Sequence, residues 1–332
     1  MGRNHTVGIV APSSKVSAVE LELGLDRIRE AGFSLSVHPQ CKKGYFYFAG
    51  KDSDRAQAFY DYAVDSRFSV IWCARGGYGA VRLLPHLEKM AASRGVPQKK
   101  LLVGYSDASA LLEFVRTRWG WSTLHAPMPG LRNFPSLKKS EFEQTVQWIK
   151  GEKVKKPWGK LKFFEPAPKR PVEAEAVGGN LAVLSSLIGT PFVPRLRGKI
   201  VVFEDVDESL YRVDRMFQQL LMARCLEGVQ AIVLGGFQNC NDHVSLTLKR
   251  GREKRLHSPR PSDLEPVRKK FTQLEALKKT FASVGECLGI PIAHGLPIGH
   301  GPGHTPIPLG ARYRLNPNGS FELVHWDWLD YR

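Results

Sequence analysis

Short apolar runs alternate with helix-patterned stretches through the first half of this 332-residue chain, and no other feature limits its fold as strongly. Strand patterns fall over 7–10, 33–37, 69–73, 101–103 and 122–125. Helical spacing runs over 14–30, 52–64, 80–92 and 107–118. Strand–helix–strand units of this kind join parallel neighbours through right-handed crossovers, which predicts an α/β fold built on a parallel sheet. Sites in such sheets lie beyond the carboxyl ends of the strands. Ser106 stands at one such end and Arg75-Gly76-Gly77-Tyr78-Gly79 at another.

Over 151–170 the alternation stops, and lysines with Pro157, Pro166 and Pro168 take over. A basic, proline-rich linker over 153–172 is expected, separating domains at 1–152 and 173–332. The second half is mixed. Strands are read over 172–177, 199–203 and 231–234, and helices over 180–188, 210–224 and 267–287. Asn316-Pro317-Asn318-Gly319 carries the Asn-Gly turn signal of a hairpin joining 312–315 to 320–325. The polar, basic 238–266 region reads as a long surface loop or insertion.

A net charge of +16 admits nucleic acid, an anionic surface or an anionic substrate as partner. The basic clusters lie near Lys153–Arg170, at Lys249–Arg255 and at Arg268–Lys270. They lack interleaved aromatics, and no helix-turn-helix or zinc-finger spacing accompanies them, so a solvated surface and no nucleic-acid partner are expected. No run reaches the roughly 20 apolar residues of a membrane span. The N-terminal residues lack the apolar core of a secretory signal, which makes a cytoplasmic protein the expectation. Five scattered cysteines without a C-x-x-C pair argue against a disulfide framework or zinc site.

Ser106 lies between a short apolar run and a helical pattern, in Val103-Gly104-Tyr105-Ser106-Asp107-Ala108. A serine at such a turn presents its hydroxyl beside helix N-terminal N–H groups, which suit an oxyanion. Ala108 replaces the second glycine of the G-x-S-x-G elbow, and a plain N-cap at Ser106 or Asp107 fits the same residues. A serine nucleophile needs a base and an orienting acid. Acids cluster at Glu204-Asp205-Val206-Asp207-Glu208 after an apolar strand. Asp207 and Glu208 suit capping of the following helix, which leaves Glu204 less well explained. Base candidates are His300, set between glycines, with His294 and His304 as rivals. The glycines and proline around His300 and His304 break any helix that would make them a metal pair, so no metal is expected. The Gly76-Gly77-Tyr78-Gly79 turn lacks both nucleotide-loop signatures but can aim a backbone N–H at an oxyanion, and Arg75 can pair with a substrate carboxylate.

Together these segments resemble the serine LD-carboxypeptidases, the group that includes muramoyl-tetrapeptide carboxypeptidase and the microcin C immunity peptidase. The resemblance rests on Gly8-Ile9-Val10-Ala11-Pro12-Ser13, Phe48-Ala49-Gly50, Arg75-Gly76-Gly77-Tyr78-Gly79, Gly104-Tyr105-Ser106-Asp107, Gly178-Gly179-Asn180-Leu181, Gly189-Thr190-Pro191, Glu204-Asp205, Tyr211-Arg212-Val213-Asp214-Arg215-Met216 and Gly299-His300, in that order. It implies a Rossmann-like N-terminal domain, a β-rich (α+β) C-terminal domain and an active site in the cleft between them. It also implies a triad of Ser106, Glu204 and His300, an oxyanion hole from the N–H groups of Gly77 and Asp107, and substrate contacts at Arg75 and Tyr78. By the same resemblance the enzyme is a homodimer without cofactor that removes the terminal D-alanine of murein tetrapeptides in cell-wall recycling. Two departures stand out: His125-Ala126-Pro127-Met128 replaces a His-Gly-Pro-Met pattern, and the basic 249–270 stretch looks inserted. An immunity-type peptidase acting on peptidyl or aminoacyl nucleotides is the alternative. The absence of Trp, Tyr and Phe from 238–266 weighs against it, since a base needs an aromatic to stack on. A non-catalytic binder of anionic polymer would have no need of the three residues together.

Overall fold

The computed structural model describes residues 6–330 except 156, 165–166, 242–245, 249–259, 261, 263, 267–272 and 302. The basic clusters at 249–255 and 268–270 thus fall outside the described residues, as do Lys156 and Pro166.

Five strands alternate with helices through the first half: β1 (Thr6–Val10), α1 (Ala18–Glu30), β2 (Ser34–Val37), α2 (Asp52–Val64), β3 (Val70–Cys73), α3 (Leu84–Arg94), β4 (Leu101–Gly104), α4 (Ser109–Trp119), β5 (Ser122–His125) and α5 (Lys139–Ile149). The strands are parallel in the order β5-β4-β3-β1-β2. Each residue of β3 and β4 is buried. Helices cover both faces of a parallel sheet, so such strands read as unbroken apolar runs. The Rossmann-like expectation holds for this half.

Then come β6 (Lys162–Phe164), β7 (Val172–Asn180), α6 (Leu181–Ser185), β8 (Ile200–Val206), α7 (Leu210–Met222) and β9 (Ala231–Gln238). A small antiparallel pair follows, β10 (Leu246–Leu248) with β11 (Leu264–Pro266). The chain ends with α8 (Gln273–Leu288), β12 (Ile292–His294), β13 (Ile307–Leu309), β14 (Ala311–Leu315), β15 (Phe321–His325) and α9 (Asp327–Asp330). Seven of these strands form a mixed sheet in the order β15-β14-β7-β8-β9-β12-β6. The β14–β15 pair is the hairpin expected around Asn316–Gly319. β13 instead pairs antiparallel with β5, so the second half closes one edge of the first sheet. Within the proline-rich stretch, β6 pairs with β12. Among the described residues no helix is long and apolar enough to cross a membrane.

Several boundaries differ from the pattern reading for local reasons. α1 begins at Ala18, where the Ser17 hydroxyl accepts the Glu20 N–H at 3.4 Å; residues 14–17 are left as a loop. Residues 80–83 form a separate 3₁₀ turn before α3, whose second residue is Pro85. Asn180 ends β7 rather than opening a helix, and its side chain caps α6 by accepting from Val183 N–H at 3.1 Å.

Candidate active site

β4 ends at Gly104, and Ser106 begins a single 3₁₀ turn that leads into α4. Ser106 sits at φ +60°, a left-handed conformation that costs a non-glycine residue free energy and recurs at functional turns. Gly104 is required at this corner, because a Cβ there would stand 3.0 Å from Ala108 Cβ. The small Ala108 therefore serves where the elbow motif has glycine. Gly76 packs face-on against the serine; a Cβ on it would lie 3.1 Å from Ser106 Oγ.

The acid comes from the other half. Glu204 lies in β8 with no solvent exposure. Its Oε2 lies 2.9 Å from His300 Nδ1, and His300 Nε2 lies 3.0 Å from Ser106 Oγ. Three residues distant in sequence thus form one hydrogen-bonded row. Gly299 makes the approach possible, since at φ +110° a Cβ would stand 2.8 Å from Glu204 Oε2. Burial opposes the charge of Glu204, yet its partners His125 and His300 outweigh that and hold the carboxyl well below the usual range. His300 is likewise disfavoured as a cation by burial, but the Glu204 carboxylate lifts it above an ordinary histidine.

The other acids have separate roles. Asp205 accepts from Asn180 Nδ2 and from the Ala182 and Val206 N–H groups, each at 2.9 Å. Burial nevertheless pushes its carboxyl up to about 6. Asp207 and Glu208 do not cap α7, whose N-cap is Ser209. Asp207 accepts from Asn239 at 3.1 Å, and Glu208 lies 3.6 Å from Arg212. Of the rival bases, His304 is buried with Nε2 3.2 Å from His125 Nδ1, and His294 stacks on Phe164.

Gly77 adopts φ +100°, and the loop ahead of α1 braces its turn: Ser14 N–H donates to Gly76 O, and Ser14 Oγ accepts from Tyr78 N–H, both at 3.2 Å. The buried Asp107 carboxylate accepts Ala80 N–H at 2.8 Å, tying the glycine turn to the serine turn. Arg75 is half-buried and donates to Lys15 O at 3.4 Å. Tyr78 is 47% exposed and lies against Tyr47 and Phe48. Beside His300 opens a cavity of about 190 Å³, lined by Tyr105, Leu131, Leu137 and Glu141 among others. A larger groove of about 1060 Å³ runs along α1 and α5, and none of these site residues lines it. Among the described residues no group of three or more His, Cys, Asp or Glu is arranged to hold a metal.

The family models for the LD-carboxypeptidase N-terminal and C-terminal domains match residues 7–126 and 173–315. A probable murein peptide carboxypeptidase of Bacillus subtilis is 30% identical over 95% of this chain and 90% of its own length. The chain belongs to the LD-carboxypeptidase family. Its structure is similar to a muramoyltetrapeptide carboxypeptidase from Oxalobacter formigenes, with TM-score 0.70 and 25% identity over 95% of this chain and 96% of that one. The microcin C7 self-immunity protein MccF shares the fold, with TM-score 0.75 and 20% identity over 98% and 97% of the two chains.

Three residues that hold this LD-carboxypeptidase site together escaped the sequence reading. Arg55 is buried and donates to the carbonyls of Gly50 at 3.2 Å, Gly79 at 2.9 Å and Pro12, so one guanidinium fastens three turns. Its place on the apolar face of α2 was the available signal, since a buried arginine must find partners. Ser109 Oγ accepts Asn180 N–H at 3.0 Å across the two halves, and a Cβ on Gly179 would come within 2.5 Å of it. His125, noted only as part of a motif, has no solvent exposure and lies with Nε2 3.8 Å from Glu204 Oε1.

Proposed function

We propose that this protein is a serine LD-carboxypeptidase that hydrolyses the terminal D-alanine from murein tetrapeptides. The observation that carries the reading is the row Ser106 Oγ, His300 Nε2 and Nδ1, Glu204 Oε2, with links of 3.0 and 2.9 Å. Ser106 Oγ attacks the carbonyl carbon of the diamino acid residue while His300 Nε2 takes its proton. Glu204 holds the ring in the tautomer that leaves Nε2 free to accept, and stabilises the imidazolium. The N–H groups of Gly77 and Asp107 receive the oxyanion. His300 returns the proton to the amine of D-alanine as the C–N bond breaks, and water then releases the tripeptide by the same steps in reverse. Arg75 and Tyr78 border the glycine turn and contact the substrate, with Arg75 facing its carboxylate. Support comes from family membership and from relatives named for murein peptides. We further assign a homodimer in the cytoplasm, working in cell-wall peptide recycling.

The test is D-alanine release from purified murein tetrapeptide. Ser106→Ala is expected to lower kcat by a factor on the order of 10⁵ or more while the protein stays folded. Absence of release by folded wild-type enzyme overturns the reading. One feature favours a second reading, cleavage of a peptidyl or aminoacyl nucleotide: Tyr47 and Tyr78 present exposed rings beside the glycine turn, faces on which a base can stack. Turnover of both substrates side by side separates the two.

A further inference from the structure

Behind Glu204 lies a second row of buried polar side chains that the three-residue mechanism does not use. Oε2 of Glu204 is occupied by His300, but Oε1 has no hydrogen-bond partner among the described residues. Nε2 of His125 on β5 lies 3.8 Å from it and is equally without a hydrogen-bond partner among the described residues. The other nitrogen of His125, Nδ1, lies 3.2 Å from Nε2 of His304. His304 in turn has Nδ1 without a partner. Glu204 and His125 have no exposure and His304 has 4%. Tyr105, the residue before the serine, packs its ring against all three histidines, with centroids 4.5 to 5.6 Å apart.

Hydrogen-bond arithmetic selects one arrangement of protons. A buried carboxylate requires donors, and a neutral imidazole has one N–H and one lone pair. If the His125 proton is on Nε2, it points at Oε1, and Nδ1 must then accept. His304 therefore carries its proton on Nε2 and donates it to His125. That leaves His304 Nδ1 as a lone pair. The reverse polarity would also aim a lone pair at the carboxylate.

We infer that His125 and His304 are positioning residues, a chain of two neutral imidazoles whose aligned N–H groups hold the free oxygen of Glu204 and so fix the acid that orients His300. The inference rests on the triad reading. No proton travels along this chain; it supplies oriented dipoles in a site that excludes water, where they act strongly. The 3.8 Å separation closes to a hydrogen bond by a shift of less than about 1 Å. Groups facing the chain are Glu204 and Asp205 from β8, Asp207 after it, His300 and His304 from the segment ahead of β13, Tyr105 after β4, and Glu141 from α5, whose Oε1 lies 3.4 Å from a Cβ position on Gly303. Burial, the largest cause, drives His304 well below the ordinary histidine range, in keeping with a neutral ring.

Histidine-resolved nitrogen NMR of the resting wild-type protein tests the tautomers with no substrate present. In each ring the proton is expected on Nε2. A proton on Nδ1 of His125 overturns the assignment. For the functional role, His304→Leu is expected to lower kcat for D-alanine release about tenfold with KM unchanged. The acid limb of its pH profile moves upward, because the carboxylate charge then faces His300 alone. His304→Gln keeps a donor near the Nε2 position and is expected to restore kcat to within about threefold of wild type. Equal kcat and equal pH limbs in wild type and a folded His304→Leu variant overturn the positioning role. Labelling by a fluorophosphonate keeps the two readings distinguishable. A wild-type Ser106 that reacts while the variants behave alike sinks only the histidine chain. A folded wild type that neither reacts nor releases D-alanine sinks the triad and the chain together.

Discussion

In the proposed mechanism the protonation of His300 decides whether Ser106 can be activated. Burial disfavours its cation, but hydrogen bonding to Glu204 and the carboxylate charge win, so it titrates above an ordinary histidine. As general base it must be neutral, and kcat/KM is therefore expected to rise with pH through a value above about 6.5, measured on a tetrapeptide substrate. Stability runs the opposite way. The raised His300 contributes stability that is fully present below about pH 6.5 and is lost as pH climbs through its folded value. The depressed Glu204 contributes stability that is present above about pH 4.3 and is lost only as pH falls further. Urea unfolding midpoints from pH 5 to 9 should therefore decline across the same window in which activity rises. Gly299 provides a steric check on the same row. Gly299→Ala pushes a methyl into Glu204 Oε2 from a backbone at φ +110°, and kcat is expected to fall about a hundredfold with the circular dichroism spectrum retained. A near-normal kcat would mean that Glu204 need not sit where it does.

Among the elements, α2 fastens the turns after β1 and β3, and the Asp107 carboxylate ties the β3 turn to the serine turn after β4. Arg55 projects from α2 and joins the carbonyls of Pro12, Gly50 and Gly79, with Asp52 as its ion-pair partner. Replacing it leaves buried acceptors unsatisfied. Arg55→Met is expected to cost about 3 kcal/mol in urea unfolding and to lower kcat as the glycine turn loosens. Unchanged stability would show that water takes over those carbonyls. Strands β1 to β5 were legible in sequence because each is an apolar run bounded by turn residues. Helix ends were less so: the start of α1 depended on Ser17 alone, and Asn180 ends a strand while capping a helix. β6 escaped notice because its three residues pair only with β12, which is distant in the chain.

For the whole molecule, the row of Ser106, His300 and Glu204 forms because the two halves are joined at two places. β13 leaves the second half to pair with β5, and its approach brings His300 to Ser106. Gly179 lets β7 touch α4 at Ser109. Gly179→Val is expected to part the halves at this point, lowering kcat at least tenfold while each sheet keeps its secondary structure. Full activity in that variant would mean the row tolerates movement between the halves. D-alanine release is also expected to be equal with and without EDTA, since the proposed steps need only the side chains of the row and two N–H groups; loss of activity on chelation would point to a bound ion.

The order of elements in the first half, the parallel character of the first sheet and the serine turn were readable from local pattern, because burial and turn chemistry act over a few neighbouring residues; the pairing of Ser106 with Glu204 and His300 was expected only from the family resemblance. What folding alone decided is the distance between them. Glu204 and His300 lie 98 and 194 positions beyond Ser106, and nothing in their local sequence distinguishes His300 from His304. Tertiary packing makes that choice: Gly299 admits one ring to Glu204 and Ser106, while closure of β13 on β5 buries the other against His125.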